Sequence, residues 1–293
     1  MKICIFGNKE STEKLIEHLT NEGYDLACLV CLDFTESKKI EISGKSSLLD
    51  DLCKKKYINI FKTKNYSLSD KEDLNFFKKE KFDLGICTGW QRLIPNNIIE
   101  TFKNGIFGWH GSGFEFPNGR GRSPLNWSIR LGLKSIYHNC FQYASGADTG
   151  KVFDTKVITI NDSDHIADLQ RKALNHIFES SVSLIKSIQD NNLSLFEQPD
   201  YPFISFPSLN ESSGELFIDK ISTRSALQII RSCSKPFPGA YFQDKQKIRV
   251  WDAEICKDKH SEMSSNNNSF IKKDILYLKL RDGWLMSNNF EYC

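Results

Sequence analysis

Long apolar runs are missing from this chain. No stretch of about 18 apolar residues occurs in its 293 positions, which removes any candidate helical membrane span. A dominant charge is missing as well: the sequence carries 39 Lys and Arg against 37 Asp and Glu, a net charge of only +2. That balance disfavours a nucleic-acid partner, because neutralising many phosphates demands a basic surface. The patch Lys54-Lys55-Lys56 reads as the solvated end of a helix. The opening MKICIFGNKE lacks the basic region, long apolar core and small-residue cleavage site of a signal peptide, so a cytoplasmic location without membrane attachment is expected. Paired metal-ligand spacing is also absent. Nine cysteines are scattered through mostly apolar stretches, and the C-x-x-C of Cys28 and Cys31 lies inside DLACLVCLD, with no second pair to complete a site. Reduced thiols filling the core, and no metal, is the expected reading. The first turn, FGNKES, lacks the glycines of a dinucleotide fingerprint, so a nicotinamide or flavin cofactor has no support.

What is present is an alternation. KICIFG (Lys2 to Gly7), DLACLVCLD (Asp25 to Asp33) and FDLGICTGW (Phe82 to Trp90) are near-continuous apolar runs of strand length. Between them lie an amphipathic stretch at Thr12 to Asn21, with Leu15, Ile16 and Leu19 on one face, another at Leu48 to Lys56, an extended INIFKT, and a helical stretch at Lys71 to Lys79. The fold class this predicts is α/β: a Rossmann-like, mostly parallel sheet with helices on both faces. Further on, Leu125 to Leu131 reads as helix, HNCFQY as extended, ASGADTG as a turn and KVFDTKVITI as strand. A long helix follows through Ile188, with Asp162, Ser163 or Asp164 as its expected cap. A Pro-, Ser- and Asn-rich stretch at Glu197 to Ser213 marks the expected boundary between a domain of residues 1–200 and a small β-rich domain of residues 201–293. The latter holds a short helix near Ser225 to Cys233, the turn KPFPGAY and the segments KIRVWDAEI, DILYLKL and GWLMS. The KDKHSEMSSNNNS segment reads as a hairpin loop.

The stretch GWHGSGFEFPNGRGRSPLNW, Gly108 to Trp127, fits neither pattern. Its glycines and prolines argue against helix and strand, and its aromatics argue against a disordered linker. It reads as a long ordered loop, the kind of segment that carries function in compact domains. His110 is its reactive candidate, expected just beyond a strand end, where ligands of open parallel sheets bind. Asp148, in the ASGADTG turn, would reach the imidazole if adjacent strands carry the two loops. A carboxylate there would orient the ring and favour its protonated form. Such a pair suits acyl transfer to an amine, where the amine must lose a proton and a carbonyl oxygen gathers charge. Read without further context, a lone histidine is more often a satisfied structural residue, and an Asp in such a turn more often a turn former.

These motifs resemble the folate-dependent formyltransferases, which include methionyl-tRNA, glycinamide-ribonucleotide and amino-sugar formyltransferases. The family pattern is a strand, Asn-x-His-x-Ser, a Pro, an Arg-Gly, a Pro opening a helix, and later an Asp-x-Gly turn. Here stand His110, Gly111, Ser112, Pro117, Arg120, Gly121 and Pro124, then Asp148, Thr149 and Gly150. The run Gly89, Trp90, Gln91, Arg92, Leu93, Ile94 and Pro95 resembles the family loop that embraces the folate. The resemblance covers Met1 to about Ile188, and extends more loosely through PFPGAYF and KIRVWDAEI to a small, barrel-like (OB-like) C-terminal domain. It implies N10-formyltetrahydrofolate as cosubstrate, His110 and Asp148 as catalytic residues, and Gly89 to Ile94 with Asp148 on the folate. Ser112, Arg120 and Gly121 are implied on the acceptor; Arg122 is not required by the family pattern, and its guanidinium suits either an acceptor phosphate or carboxylate or a surface pairing. Trp109 and Trp127 are expected as packing anchors, Trp90 as part of the folate wall. In character the chain is nearest the amino-sugar enzymes of surface-polysaccharide synthesis. The methionyl-tRNA enzymes and a non-catalytic binding relative are the alternatives, and a homodimer is the family-level expectation. One departure stands out. The family's catalytic asparagine, two residues before the histidine, is Gly108 here. Losing one oxyanion donor costs about 2.7–4 kcal/mol of transition-state stabilisation. Either another group takes over (Asn126, Asn139 or backbone N–H groups of the loop), or the protein is slow, altered in reaction or inactive.

Overall fold

A computed structural model of the chain describes residues 1–32, 46–218, 220–244, 246–257, 263 and 268–293. Most of the KDKHSEMSSNNNS segment lies outside the described residues. The strands are β1 (Ile3–Phe6), β2 (Leu26–Leu32), β3 (Asn59–Thr63), β4 (Leu84–Cys87), β5 (Ile106–Ser112), β6 (Arg120–Gly121), β7 (Ser135–Gln142), β8 (Val152–Thr159), β9 (Ser205–Phe206), β10 (Ala240–Gln243), β11 (Lys247–Val250), β12 (Glu254–Ile255), β13 (Ser269–Lys272), β14 (Ile275–Leu280), β15 (Gly283–Ser287) and β16 (Phe290–Tyr292). The helices are α1 (Glu10–Asn21), α2 (Leu49–Lys55), α3 (Lys71–Glu80), α4 (Asn96–Ile99), α5 (Pro124–Arg130), α6 (Ile166–Gln189) and α7 (Thr223–Cys233). Two compact units divide the chain: Met1–Arg120 with Tyr137–Ile158 and Lys172–Ile204, and Gly121–Ile136 with Thr159–Arg171 and Ser205–Cys293.

The first unit is organised on a seven-stranded sheet in the order β3-β2-β1-β4-β5-β7-β8. Pairings from β3 through β5 are parallel, and β7 runs antiparallel to β5. Both faces are covered, which is why β1 and β2 are apolar at every position rather than alternating. On one face Ile3 and Ile5 meet Leu15, Ile16 and Leu19 of α1, Leu49 of α2, and Leu184 and Ile185 of α6. On the other, Cys4 and Phe6 meet Phe77 of α3, Ile98 of α4 and Phe102. Phe6 and Phe77 are fully buried and stack at 5.6 Å between ring centroids; burying such a side chain stabilises by roughly 1.5–3 kcal/mol. The C-x-x-C splits across these layers: Cys28 belongs to the second cluster and Cys31 to the first. An offset of three along a strand puts side chains on opposite faces, so the two thiols cannot act together. The strand order reverses between β1 and β4, and β7, antiparallel to β5, brings its end at Gln142 back beside Phe107 near the start of β5.

Local signals set the element ends. Asp70 caps α3 by accepting from the Glu72 N–H at 2.8 Å, and Lys81 closes it in a left-handed conformation. The cap of α6 differs from expectation. The Asp168 carboxylate accepts from the His165 backbone N–H at 2.9 Å, while Asp164 instead closes the preceding turn through the Asn161 N–H. Among the described residues, no helix is long and apolar enough to cross a membrane.

In the second unit the C-terminal strands are antiparallel and form two small sheets, β10-β11-β16 and β12-β15-β14-β13. Ala226 and Ile230 of α7, with Leu216, Phe242, Ile248, Val250, Leu276, Leu278 and Leu285, form their shared core. Helix α5 joins this unit, where the Asn126 side-chain amide donates to the Ser232 carbonyl at 2.8 Å.

Candidate functional site

The expectation of a loop from Gly108 onward is corrected by the structure. Gly108 to Ser112 form the end of β5, Arg120 and Gly121 form β6, and Pro124 opens α5. His110 therefore stands inside a strand, not beyond one. The physical reason is that β5 has a neighbour on each side, Gly108 opposite Cys87 of β4 and His110 opposite Asn139 of β7. Pairing with β4 as far as Gly108 and with β7 through Ser112 holds a glycine-rich segment extended against its weak strand propensity.

Directly paired residues and alternate positions share a face. Gly108, His110 and Ser112 thus share one face with Phe141, Asn139 and Tyr137. His110 is 7% exposed and its ring is fixed at both nitrogens. Nε2 lies 2.7 Å from the Gly119 carbonyl, which can only accept, so Nε2 carries a proton. Nδ1 faces the Asp148 carboxylate at 3.3 Å. With Nε2 committed as donor, Nδ1 is the nitrogen left to gain and lose a proton. Asp148 sits in the turn after β7 with φ +56 and keeps a quarter of its side chain exposed, so the carboxylate end of the pair is the open one. The Gly119 carbonyl reaches the ring because its α-carbon packs on Ser112: a β-carbon there would fall 1.8 Å from Ser112 Oγ, and φ is +78. Ser112 is fully buried and accepts from the Phe114 N–H at 3.3 Å.

Arg120 is 8% exposed and turned inward. Its guanidinium stacks over Phe203 at 4.5 Å and donates to Gln198 Oε1. Gln198 in turn donates to the carbonyls of Asp148 and Gly150 at 2.9 and 2.7 Å. Burial pulls the Arg120 guanidinium below its usual range, and Asp148 opposes that shift. Arg120 and Gln198 hold the Asp148 turn against the histidine. Gln198 has no sequence signal; it lies in the Pro-rich stretch read as a boundary. In the second unit, Gly121 and Arg122 are exposed, and the Arg122 backbone N–H donates to the Phe206 carbonyl at 2.8 Å. Trp127 there stacks on Phe206 and donates to the Pro207 carbonyl.

The loop Gly89 to Ile94 leaves the end of β4. Trp90 is 8% exposed, its ring edge-on to Tyr66 and Phe6, and its indole N–H has no partner among the described residues. The Gln91 N–H donates to the Tyr66 hydroxyl at 2.8 Å, and the Arg92 guanidinium lies 5.3 Å over the Tyr66 ring. Leu93 projects outward at 62% exposure, while Ile94 is buried. A buried indole donor left unpaired is costly, and it suits a polar heterocycle lying against this loop. Among the described residues, no group of three His, Cys, Asp or Glu could hold a metal ion.

Behind the same strands lies a second histidine–carboxylate arrangement that no motif marks. His138 of β7 and His176 of α6 share a contact at 2.8 Å between their Nδ1 atoms, and His176 Nε2 meets Asp154 of β8 at 2.8 Å. Trp109, also on this face, donates to Ser180 at 2.9 Å.

Comparison with known proteins places the chain in a family and a fold. A family model described as "Formyl transferase" matches residues 1–182. Methionyl-tRNA formyltransferase of Caldanaerobacter subterraneus subsp. tengcongensis is 24% identical over 259 residues, covering 88% of this chain and 82% of that protein. The fold is shared with the N-formyltransferase from Helicobacter canadensis, solved with folinic acid and dTDP-3-aminofucose, at a TM-score of 0.68 and 16% identity over 99% of this chain and 100% of that one. It is also shared with HypX from Aquifex aeolicus, solved with tetrahydrofolic acid, at a TM-score of 0.70 and 13% identity; this chain spans 44% of HypX.

Proposed function

The chain belongs to the formyl transferase family, and on that premise we propose that this folate-dependent transferase moves the formyl group of N10-formyltetrahydrofolate to the amine of a nucleotide-linked amino sugar. Its catalytic domain would be residues 1–200, and its role a step in surface-polysaccharide synthesis. The observation that carries the reading is the His110–Asp148 pair, fixed through Gly119 so that Nδ1 faces the carboxylate. The amine's lone pair adds to the formyl carbon, giving a tetrahedral intermediate. His110 Nδ1, backed by Asp148, takes the proton the amine must lose and returns it to the departing N10. Products are the formamido sugar and tetrahydrofolate, with no change of oxidation state. The folate fits against Gly89, Trp90, Gln91, Arg92, Leu93 and Ile94, where the unpaired Trp90 indole N–H offers a hydrogen bond. Ser112 and Arg120 act from inside as positioning residues, and the exposed Arg122 guanidinium is a candidate for an acceptor phosphate.

The nucleotide-sugar acceptor is supported by the Helicobacter canadensis structure and by a net charge of only +2. A second reading, methionyl-tRNA as acceptor, is favoured by the naming of the sequence relatives. The test is release of tetrahydrofolate from N10-formyltetrahydrofolate with a panel of nucleotide-linked amino sugars set against methionyl-tRNA. Turnover with one sugar, abolished in His110→Ala, is the expected result. Turnover with the tRNA alone establishes the second reading. Silence with folate still bound points to a binding protein that has lost catalysis.

A further inference from the structure

We propose that Tyr143 is the oxyanion donor of this enzyme, its phenol standing in the space that Gly108 leaves open. The inference rests on the formyl-transfer reading and deepens it.

A side chain at position 108 would enter the face that carries His110, two residues along the same strand and therefore about 6.8 Å away. That space is filled. A β-carbon built on Gly108 would lie 2.4 Å from the Tyr143 hydroxyl oxygen and 2.4 Å from ring atom Cε1. The phenol and the glycine are thus one arrangement: any side chain at 108 would evict the ring. Tyr143 arrives here from the end of β7, its backbone N–H bound to the Ile106 carbonyl at 2.7 Å. Its ring stacks on Phe141, Phe141 meets Phe116 edge-on, and Phe116 stacks on His110, with centroid spacings of 5.5, 5.6 and 5.4 Å. This continuous aromatic row fixes the hydroxyl and the imidazole on one surface.

The hydroxyl is chemically suited to the task. Its neighbour is the Cys87 thiol, a weak hydrogen-bond partner. Burial and the nearby Cys87 and Asp148 push the Tyr143 hydroxyl well above its usual range, so it keeps its proton. Burial likewise pushes the Cys87 thiol up to about 12, so no thiolate competes for that proton. The two asparagines that could replace the hydroxyl are committed. The Asn139 amide is directed to the His110 and Tyr137 carbonyls, with its oxygen held by Thr155. Asn126 is bound to the Ser232 carbonyl in the second unit.

In the reaction the amine lone pair forms the new C–N bond while the carbonyl π pair moves onto oxygen. Tyr143 Oη–H donates a hydrogen bond to that oxygen and keeps its proton. As the pair returns to re-form C=O, the bond to N10 breaks, and N10 leaves with its electrons and the proton passed on by His110.

The test is Tyr143→Phe, which keeps the ring and removes the hydroxyl. Formyl transfer is followed with the acceptor that the wild type uses, together with the slower release of formate when water is the acceptor. The expected result is a loss in kcat of about 10²–10³-fold, the range for removing one oxyanion donor. Affinity for N10-formyltetrahydrofolate should stay within about twofold and the Tm be unchanged. A paired variant sharpens the point: adding Gly108→Asn to Tyr143→Ala should restore at least tenfold of the turnover that Tyr143→Ala loses. Wild-type turnover matched by Tyr143→Phe overturns the inference and leaves the formyl-transfer reading standing. Loss of donor affinity in step with turnover also overturns it, because the hydroxyl then acts in binding. A wild type that neither transfers nor hydrolyses the formyl group overturns both.

Discussion

Two histidine–aspartate pairs lie on opposite faces of the same strands, and they differ in what surrounds the imidazole. Behind the sheet, His138 and His176 are 4% and 1% exposed, closed under α6, with Asp154 accepting from His176. Burial is the main reason the His138 imidazole is held well below its usual range; the neighbouring His176 and His110 push the same way and Asp154 opposes. In front, His110 is about as buried, and its partner Asp148 stands in a turn with a quarter of its side chain exposed, against 46% for Asp154. Glycine at 108 and at 119 lets the Tyr143 phenol and a backbone carbonyl approach the imidazole face. A histidine next to a carboxylate is therefore not itself a functional signal. The groups poised around the ring make the difference, since Asp154 is the more exposed of the two carboxylates.

The widest separation between the two faces should come from removing the reacting groups. His110→Ala and Asp148→Asn are expected to lower kcat by about 10²–10⁴-fold, the range for positioned acid–base catalysis, measured as tetrahydrofolate release. Gly119→Ala comes next. A methyl group 1.8 Å from Ser112 Oγ, in a left-handed backbone, displaces the carbonyl that fixes His110. Overpacking of this kind costs about 1–3 kcal/mol, read by denaturant midpoint, and turnover should fall with it.

The back face predicts a pH effect without a catalytic one. The folded-state value of His138 lies below the unfolded one, so below about pH 6.5 the unfolded chain binds a proton that the folded chain refuses. Stability should then fall as pH drops from about 6.5 toward the lowered value. Asp154 is also held low, first by its hydrogen bond to His176, and adds a loss in the same direction at more acidic pH, through the usual carboxylate value and below. His138→Asn should flatten the fall in Tm between about pH 6.5 and 5 while leaving turnover unchanged. The smallest effect belongs to the second unit, where Asn126→Ala removes the amide bond to Ser232 and should cost about 1 kcal/mol with no change in chemistry.

Much of the first unit was legible because its strands are buried on both faces and read as unbroken apolar runs between amphipathic helices. The pairing of His110 with Asp148 was legible too, since strand adjacency alone brings the two segments together. What escaped was whatever depends on contacts between distant positions. Gly108 to Ser112 looked like loop because glycine has no strand preference of its own, and only β4 and β7 on either side make it one. Gln198 stands in a Pro-rich stretch with nothing to mark it, yet it ties Arg120 to the Asp148 turn. Tyr143 reads as one more aromatic at a strand end until its hydroxyl is found over Gly108. His138 and His176 sit in apolar alternation and on an apolar helix face, where sequence offers no reason to join them.

The most direct test of the central claim is to compare His110→Gln with His176→Gln, side by side, for tetrahydrofolate release at saturating donor and acceptor. The account predicts at least a hundredfold loss in the first, with the fold retained, and turnover close to wild type in the second despite a lower Tm. Equal losses in both, or full turnover in His110→Gln, would contradict it.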